Sequence, residues 1–104
     1  MIRINEGSAM ESPGDVIERY IIKGLNISVG QLAQALNVPA NRMYQIIQNK
    51  RDISVDTALR LGYFLNMDPL FWLDIQTRYK LRDYQASHPN LNDEIRVFKS
   101  KKSN

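Results

Sequence analysis

The segment from Val29 to Gln48 leaves this chain few folds to choose from. Leu32, Ala33 and Leu36 recur at 0, +1 and +4, the spacing of one helix face. Ser28 stands directly before them as an N-cap, so the pattern predicts a helix from Val29 to Leu36. Asn37 follows where the chain must turn, and Asn enters the left-handed backbone region more readily than other residues with a side chain. Val38 and Pro39 lead into a second helical pattern over 39–48, with Met43, Ile46 and Ile47 inward. Two helices of about eight residues joined by a three- or four-residue turn make a helix-turn-helix. Ala33 is small where the two helices must cross. Leu32, Leu36 and Val38 tie the turn to a core, and Met43 and Ile46 anchor the second helix from below.

The rest of the chain reads as helices that support this pair. Val16, Ile17, Tyr20 and Ile21 fall at helical spacing after Pro13, which suits a first helical turn, and Gly24 is expected to stop that helix. Ser54 caps a helix from Val55 to Leu65. That helix is apolar on more than one side and is therefore expected at the centre. Asn66 ends it, and Asp68 and Pro69 open a helix running to about Tyr84. The cluster Ser87-His88-Pro89-Asn90 breaks the pattern, and Leu91 to Phe98 has mixed periodicity. An all-α domain of five helices over 12–85 is expected. An arm precedes it at 1–11, and a partly disordered extension follows at 86–104.

Composition narrows the chemistry. The 104 residues include no cysteine, which excludes disulfides, thiolate zinc sites and cysteine nucleophiles. The single histidine, His88, excludes a multi-histidine metal site and reads as an exposed loop residue. With no nucleophile–base pair, metal set or glycine-rich phosphate loop, neither enzymatic activity nor a cofactor is expected. No apolar run approaches the roughly 20 residues that span a bilayer, and the N-terminus lacks a signal-peptide core, so a cytoplasmic location without membrane association is expected.

Charge is segregated along the chain. The formal net charge is +3, yet residues 19–51 carry +5, from Arg19, Lys23, Arg42, Lys50 and Arg51 without an Asp or Glu. Residues 1–18 carry −3. The positive charge therefore coincides with the two-helix motif, where a polyanion is expected to dock. Ala40, Asn41, Tyr44, Gln45 and Gln48 point away from the anchoring residues of the second helix. Asn41 and Gln45 are the best candidates for reading bases, because side-chain amides pair bidentately with adenine. Arg42, Lys50 and Arg51 are candidate phosphate clamps, joined by Ser28 and the Val29 backbone amide at a helix N-terminus. Double-stranded DNA is the expected partner. Phe71, Trp72, Ile75 and Tyr79 form an aromatic stripe that serves either as core or as a dimer interface.

Several pieces of the sequence are similar to the HigA antitoxins, a branch of the Xre/Cro-like helix-turn-helix proteins. They are Ser12-Pro13-Gly14-Asp15, Gln31-Leu32-Ala33, Val38-Pro39, Lys50-Arg51, Asp56-Thr57-Ala58-Leu59-Arg60-Leu61 and Phe71-Trp72-Leu73 with Gln76, Arg78 and Tyr79. The resemblance covers about residues 12–82. It implies a lambda-repressor-like fold and a homodimer on a palindromic operator. It also implies autoregulation of an operon and neutralisation of a HigB-type toxin, a ribosome-dependent mRNA endonuclease. Some members stand alone as plain regulators. By position, Arg42, Lys50 and Arg51 would serve DNA, and Trp72, Gln76 and Tyr79 mark the fifth helix. Ala40, Tyr44 and Gln45 depart from the residues common at those positions, so no operator sequence carries over.

Overall fold

The computed structural model describes residues 11–99. The first helix starts where its sequence permits. Ser12 caps it by accepting the Asp15 N–H at 3.1 Å, and Pro13 occupies the first turn. Helix α1 (Pro13–Val16) runs directly into a π-helical segment, Ile17–Lys23. The wider ladder persists beyond it, where the Ile27 N–H donates to the Ile22 carbonyl at 3.0 Å. The helix stops at Gly24 as expected, but Gly24 does not itself turn the chain left-handed. It keeps a right-handed φ of −66°, and the left-handed turn falls to Asn26 at φ 55°.

Helices α2 (Val29–Leu36) and α3 (Ala40–Ile47) follow, packed on one another. Helix α4 (Val55–Leu65) is capped by Ser54, whose Oγ accepts the Thr57 N–H at 3.1 Å. Helix α5 (Leu70–Ser87) begins with the Asp68 carboxylate accepting the Leu70 N–H at 2.9 Å. It runs past the expected end near Tyr84. A short 3-10 turn, Leu91–Glu94, and an extended stretch to Lys99 complete the described residues. Among those residues there is no strand, and no helix is long and apolar enough to cross a membrane.

One apolar cluster holds the helices together. Val16, Ile17 and Ile21 meet Leu32, Ala33 and Leu36, Met43 and Ile46, and Ile53, Ala58, Leu61 and Trp72. Hydrophobic burial of this kind is the main stabilising term in a small domain. Two close approaches fix its geometry. A Cβ on Gly14 would lie 2.5 Å from the Ile47 carbonyl oxygen and 2.6 Å from that of Ile46, so α1 meets the end of α3 only because residue 14 has no side chain. The Gln76 amide of α5 pairs with both backbone groups of Ile53, accepting the N–H at 2.6 Å and donating to the carbonyl at 3.0 Å.

Helix α4 is not central. Thr57, Ala58, Leu61 and Gly62 are buried, but Val55, Leu59, Tyr63 and Phe64 lie on the surface. A second layer to cover its outer face is missing among the described residues. The C-terminal part stands clear of the bundle, and every residue from 81 to 99 is exposed. The expected arm, apart from Glu11, and the tail beyond Lys99 lie outside the described residues.

Candidate nucleic-acid interface

The entry to α2 is held by a reciprocal cap. The Ser28 Oγ accepts the Gln31 N–H at 3.0 Å, and the Gln31 Oε1 accepts the Ser28 N–H at 2.8 Å. The cap uses the Ser28 Oγ as an acceptor and takes up the Ser28 N–H. It leaves the first-turn amides of Val29 and Gly30, which no helix bonds internally, at the positive end of the α2 dipole. At the other end Asn37 adopts φ 56° and ψ 49°. The Val38 N–H then closes back on the Ala33 carbonyl at 3.0 Å. This is the tight turn that sets α3 across α2.

Helix α3 sorts its residues as its spacing requires. Met43 and Ile46 are buried, while Ala40, Asn41, Tyr44 and Gln48 are exposed. Gln45 is half-buried, and its Oε1 accepts from Arg51 Nη1 at 3.3 Å. Asn49 at φ 60° ends the helix and turns Lys50 and Arg51 outward, both exposed. Lys50 has no carboxylate within salt-bridge distance among the described residues. The fold thus brings together every candidate base-reading residue on one surface, with Lys50 and Arg51 at its edge.

Two of the expected site residues are engaged within the monomer. Arg42 is not a free cation: its Nη1 lies 3.0 Å from the Asp56 carboxylate, and its side chain is only 25% exposed. Trp72 is wholly buried in its own monomer, edge-to-face with Phe71 at 5.0 Å, so it offers no surface to a second copy. Phe71, Ile75 and Tyr79 are half-buried on α5. His88 lies at the end of α5, exposed as expected, and stacked on Tyr84 at 3.8 Å.

The sequence reading missed Asp56 and Arg60. Asp56 Oδ2 accepts from Arg60 Nε at 2.9 Å as well as from Arg42, and Arg60 Nη1 donates to the Leu36 carbonyl at 3.0 Å. The hydrogen bond from Arg60 holds the Asp56 carboxyl below its ordinary value of 3.8; desolvation opposes this and the Arg42 bond adds to it. The i,i+4 spacing of Asp56 and Arg60 signals their own pair. No local signal reveals the reach to Arg42, fourteen residues earlier.

Known proteins agree with this architecture. No family model matches the chain. It is similar to virulence-associated protein I of Dichelobacter nodosus, 34% identical over 80 residues that cover 77% of this chain and 74% of that one. Its fold superposes on the Pseudomonas aeruginosa antitoxin HigA solved with the higBA promoter. The TM-score is 0.81 at 29% identity, covering 88% of this chain and all of the other. It superposes equally on an addiction module antidote protein of the HigA family from Coxiella burnetii. There the TM-score is 0.80 at 30% identity, over 88% of this chain and 100% of that one. With the capped α2, the left-handed Asn37 and the outward face of α3 all in place, the chain belongs to the HigA family of helix-turn-helix proteins.

Proposed function

We propose that this chain is a sequence-specific DNA-binding repressor and the antitoxin of a HigBA-type toxin–antitoxin module. One observation carries the reading: the outer face of α3 gathers Asn41, Tyr44, Gln45 and Gln48 without a carboxylate among them, beside exposed Lys50 and Arg51. Amide side chains on a helix that enters the major groove meet base edges, and the flanking cations meet phosphates. The Pseudomonas aeruginosa antitoxin HigA solved with the higBA promoter supports DNA as the partner. Asn41 and Gln45 read bases, helped by Ala40, Tyr44 and Gln48. Lys50, Arg51 and the Ser28–Val29 helix start hold the backbone. The mechanism is occlusion of a promoter, without a covalent step.

A homodimer on a palindromic operator follows from the same reading, with recognition helices about 34 Å apart, one duplex turn. Its interface draws on α5, where Phe71, Ile75 and Tyr79 remain partly open, and on the extension beyond it. Ile95, Val97 and Phe98 are exposed apolar groups there, which a second copy would cover.

Asn41→Ala should relax discrimination at one base position, by about 1–3 kcal/mol, while Lys50→Ala should weaken all sequences alike. Binding measured on the chain's own upstream DNA and on point-mutated duplexes separates the two. Equal behaviour of the variants would overturn the assignment of roles. Toxin neutralisation is tested by co-expression with the adjacent reading frame. Restored growth and co-purification are expected. Their absence would leave a stand-alone Xre-type regulator.

A further inference from the structure

The contact between Asp56 and Arg42 joins elements that the helix-turn-helix alone does not join. Arg42 lies on the flank of α3, between the buried Met43 and Ile46 and the outer reading face. Its guanidinium turns toward the first turn of α4, where Asp56 Oδ2 accepts from it at 3.0 Å. The same oxygen accepts from Arg60 Nε at 2.9 Å. Arg60 in turn donates to the Leu36 carbonyl at 3.0 Å and reaches the Asn37 carbonyl at 3.5 Å, at the C-terminal end of α2. Such terminal carbonyls have no partner within their own helix. One carboxylate therefore links the reading helix to the turn that orients it.

The link is a weak source of global stability, because the Asp56 side chain is 55% exposed and exposed ion pairs are screened by water and salt. It is directional, however. Its hydrogen bonds constrain how far α3 can roll about its axis relative to α2, and base reading tolerates little roll.

We propose that Asp56 is a positioning residue for DNA reading: through Arg42 and Arg60 it fixes the roll of α3 against the end of α2. The proposal rests on the reading of α3 as the DNA-facing helix. It removes Arg42 from the phosphate clamps, since its guanidinium is turned to Asp56.

The test compares five forms of the chain, the parent, Asp56→Asn, Asp56→Glu, Arg42→Gln and the Asp56→Asn/Arg42→Gln double variant, for binding to the chain's own upstream DNA across a salt series. Asp56→Asn and Arg42→Gln should each lose several-fold in affinity with the parent's salt dependence unchanged, because no phosphate contact has gone. The double variant should be no weaker than the weaker single. Asp56→Glu should recover most of the loss, which a role in bulk folding would not require. Arg42→Gln lowering the log–log salt slope by about one, with Asp56→Asn neutral or tighter, would overturn the proposal and make Arg42 a phosphate contact. A parent that binds no DNA would remove the reading of α3 itself. Amide hydrogen exchange at Arg42 and Met43 then judges the link separately: several-fold faster exchange in Asp56→Asn and Arg42→Gln supports it, and unchanged exchange overturns it.

Discussion

Asparagine does the work at this chain's tight corners. Asn26, Asn37, Asn49 and Asn66 hold φ between 52° and 60°, and no described glycine has a positive φ. A left-handed backbone costs an ordinary L-residue about 1–2 kcal/mol, less for Asn and nothing for Gly. Asn66→Ala should therefore lower stability by about 1 kcal/mol in urea unfolding, while Asn66→Gly should change it by no more than a few tenths. Asn37 and Asn66 are legible in the sequence because each follows the last apolar position of a clear helical run. Asn26 is hidden behind Gly24, the more obvious breaker. Gly14 is the converse case. Its need to be glycine comes from the carbonyls of Ile46 and Ile47, more than thirty residues away. Gly14→Ala should cost about 1–3 kcal/mol, as overpacking does. Asp56 carries a pH dependence with a definite sign. Its folded pKa is depressed, so its contribution is present above the ordinary 3.8 and is lost as pH falls through the folded value. The stability difference between the parent and Asp56→Asn should accordingly be present at neutral pH and vanish in acid.

Among the elements, α2 and α4 are found at the limits that capping and periodicity give, Val29–Leu36 and Val55–Leu65. Both have a serine cap before them and an asparagine after them, so both ends are marked by local chemistry. The packing of α4 was not legible. Its apolar residues exceed one face, and periodicity alone cannot tell a central helix from one with an uncovered outer face. The π-helical ladder of Ile17–Lys23 was also invisible, because Val16, Ile17, Tyr20 and Ile21 satisfy ordinary helical spacing equally well. Trp72 shows a third limit: the stripe that fits a dimer interface fits a core just as well, and the bundle buries the indole. Gln76 is the element-level tie between α5 and the loop before α4. Removing its amide in Gln76→Ala strips partners from both backbone groups of Ile53, which is itself buried. A loss of about 1–3 kcal/mol in urea unfolding is expected. A loss within a few tenths would show that water satisfies the loop.

At the scale of the whole molecule, the described residues span 56 × 27 × 27 Å, long because α5 and the extension leave the bundle. The candidate site was largely legible, since Asn41, Tyr44, Gln45 and Gln48 needed only helical geometry to be placed together. The pairing of Arg42 was not, because its partner comes from a different helix. The exposed apolar extension argues for a second copy. Light scattering at micromolar concentration should give twice the 12.0 kDa chain mass, and a monomer would contradict the dimer reading. If α3 and its cationic rim form a DNA-binding surface, affinity for the chain's own upstream duplex must depend on salt. The logarithm of affinity should fall linearly with the logarithm of salt, with a slope of about −0.9 for each phosphate neutralised. An affinity that stays flat from low to high salt would contradict the DNA-binding reading of α3.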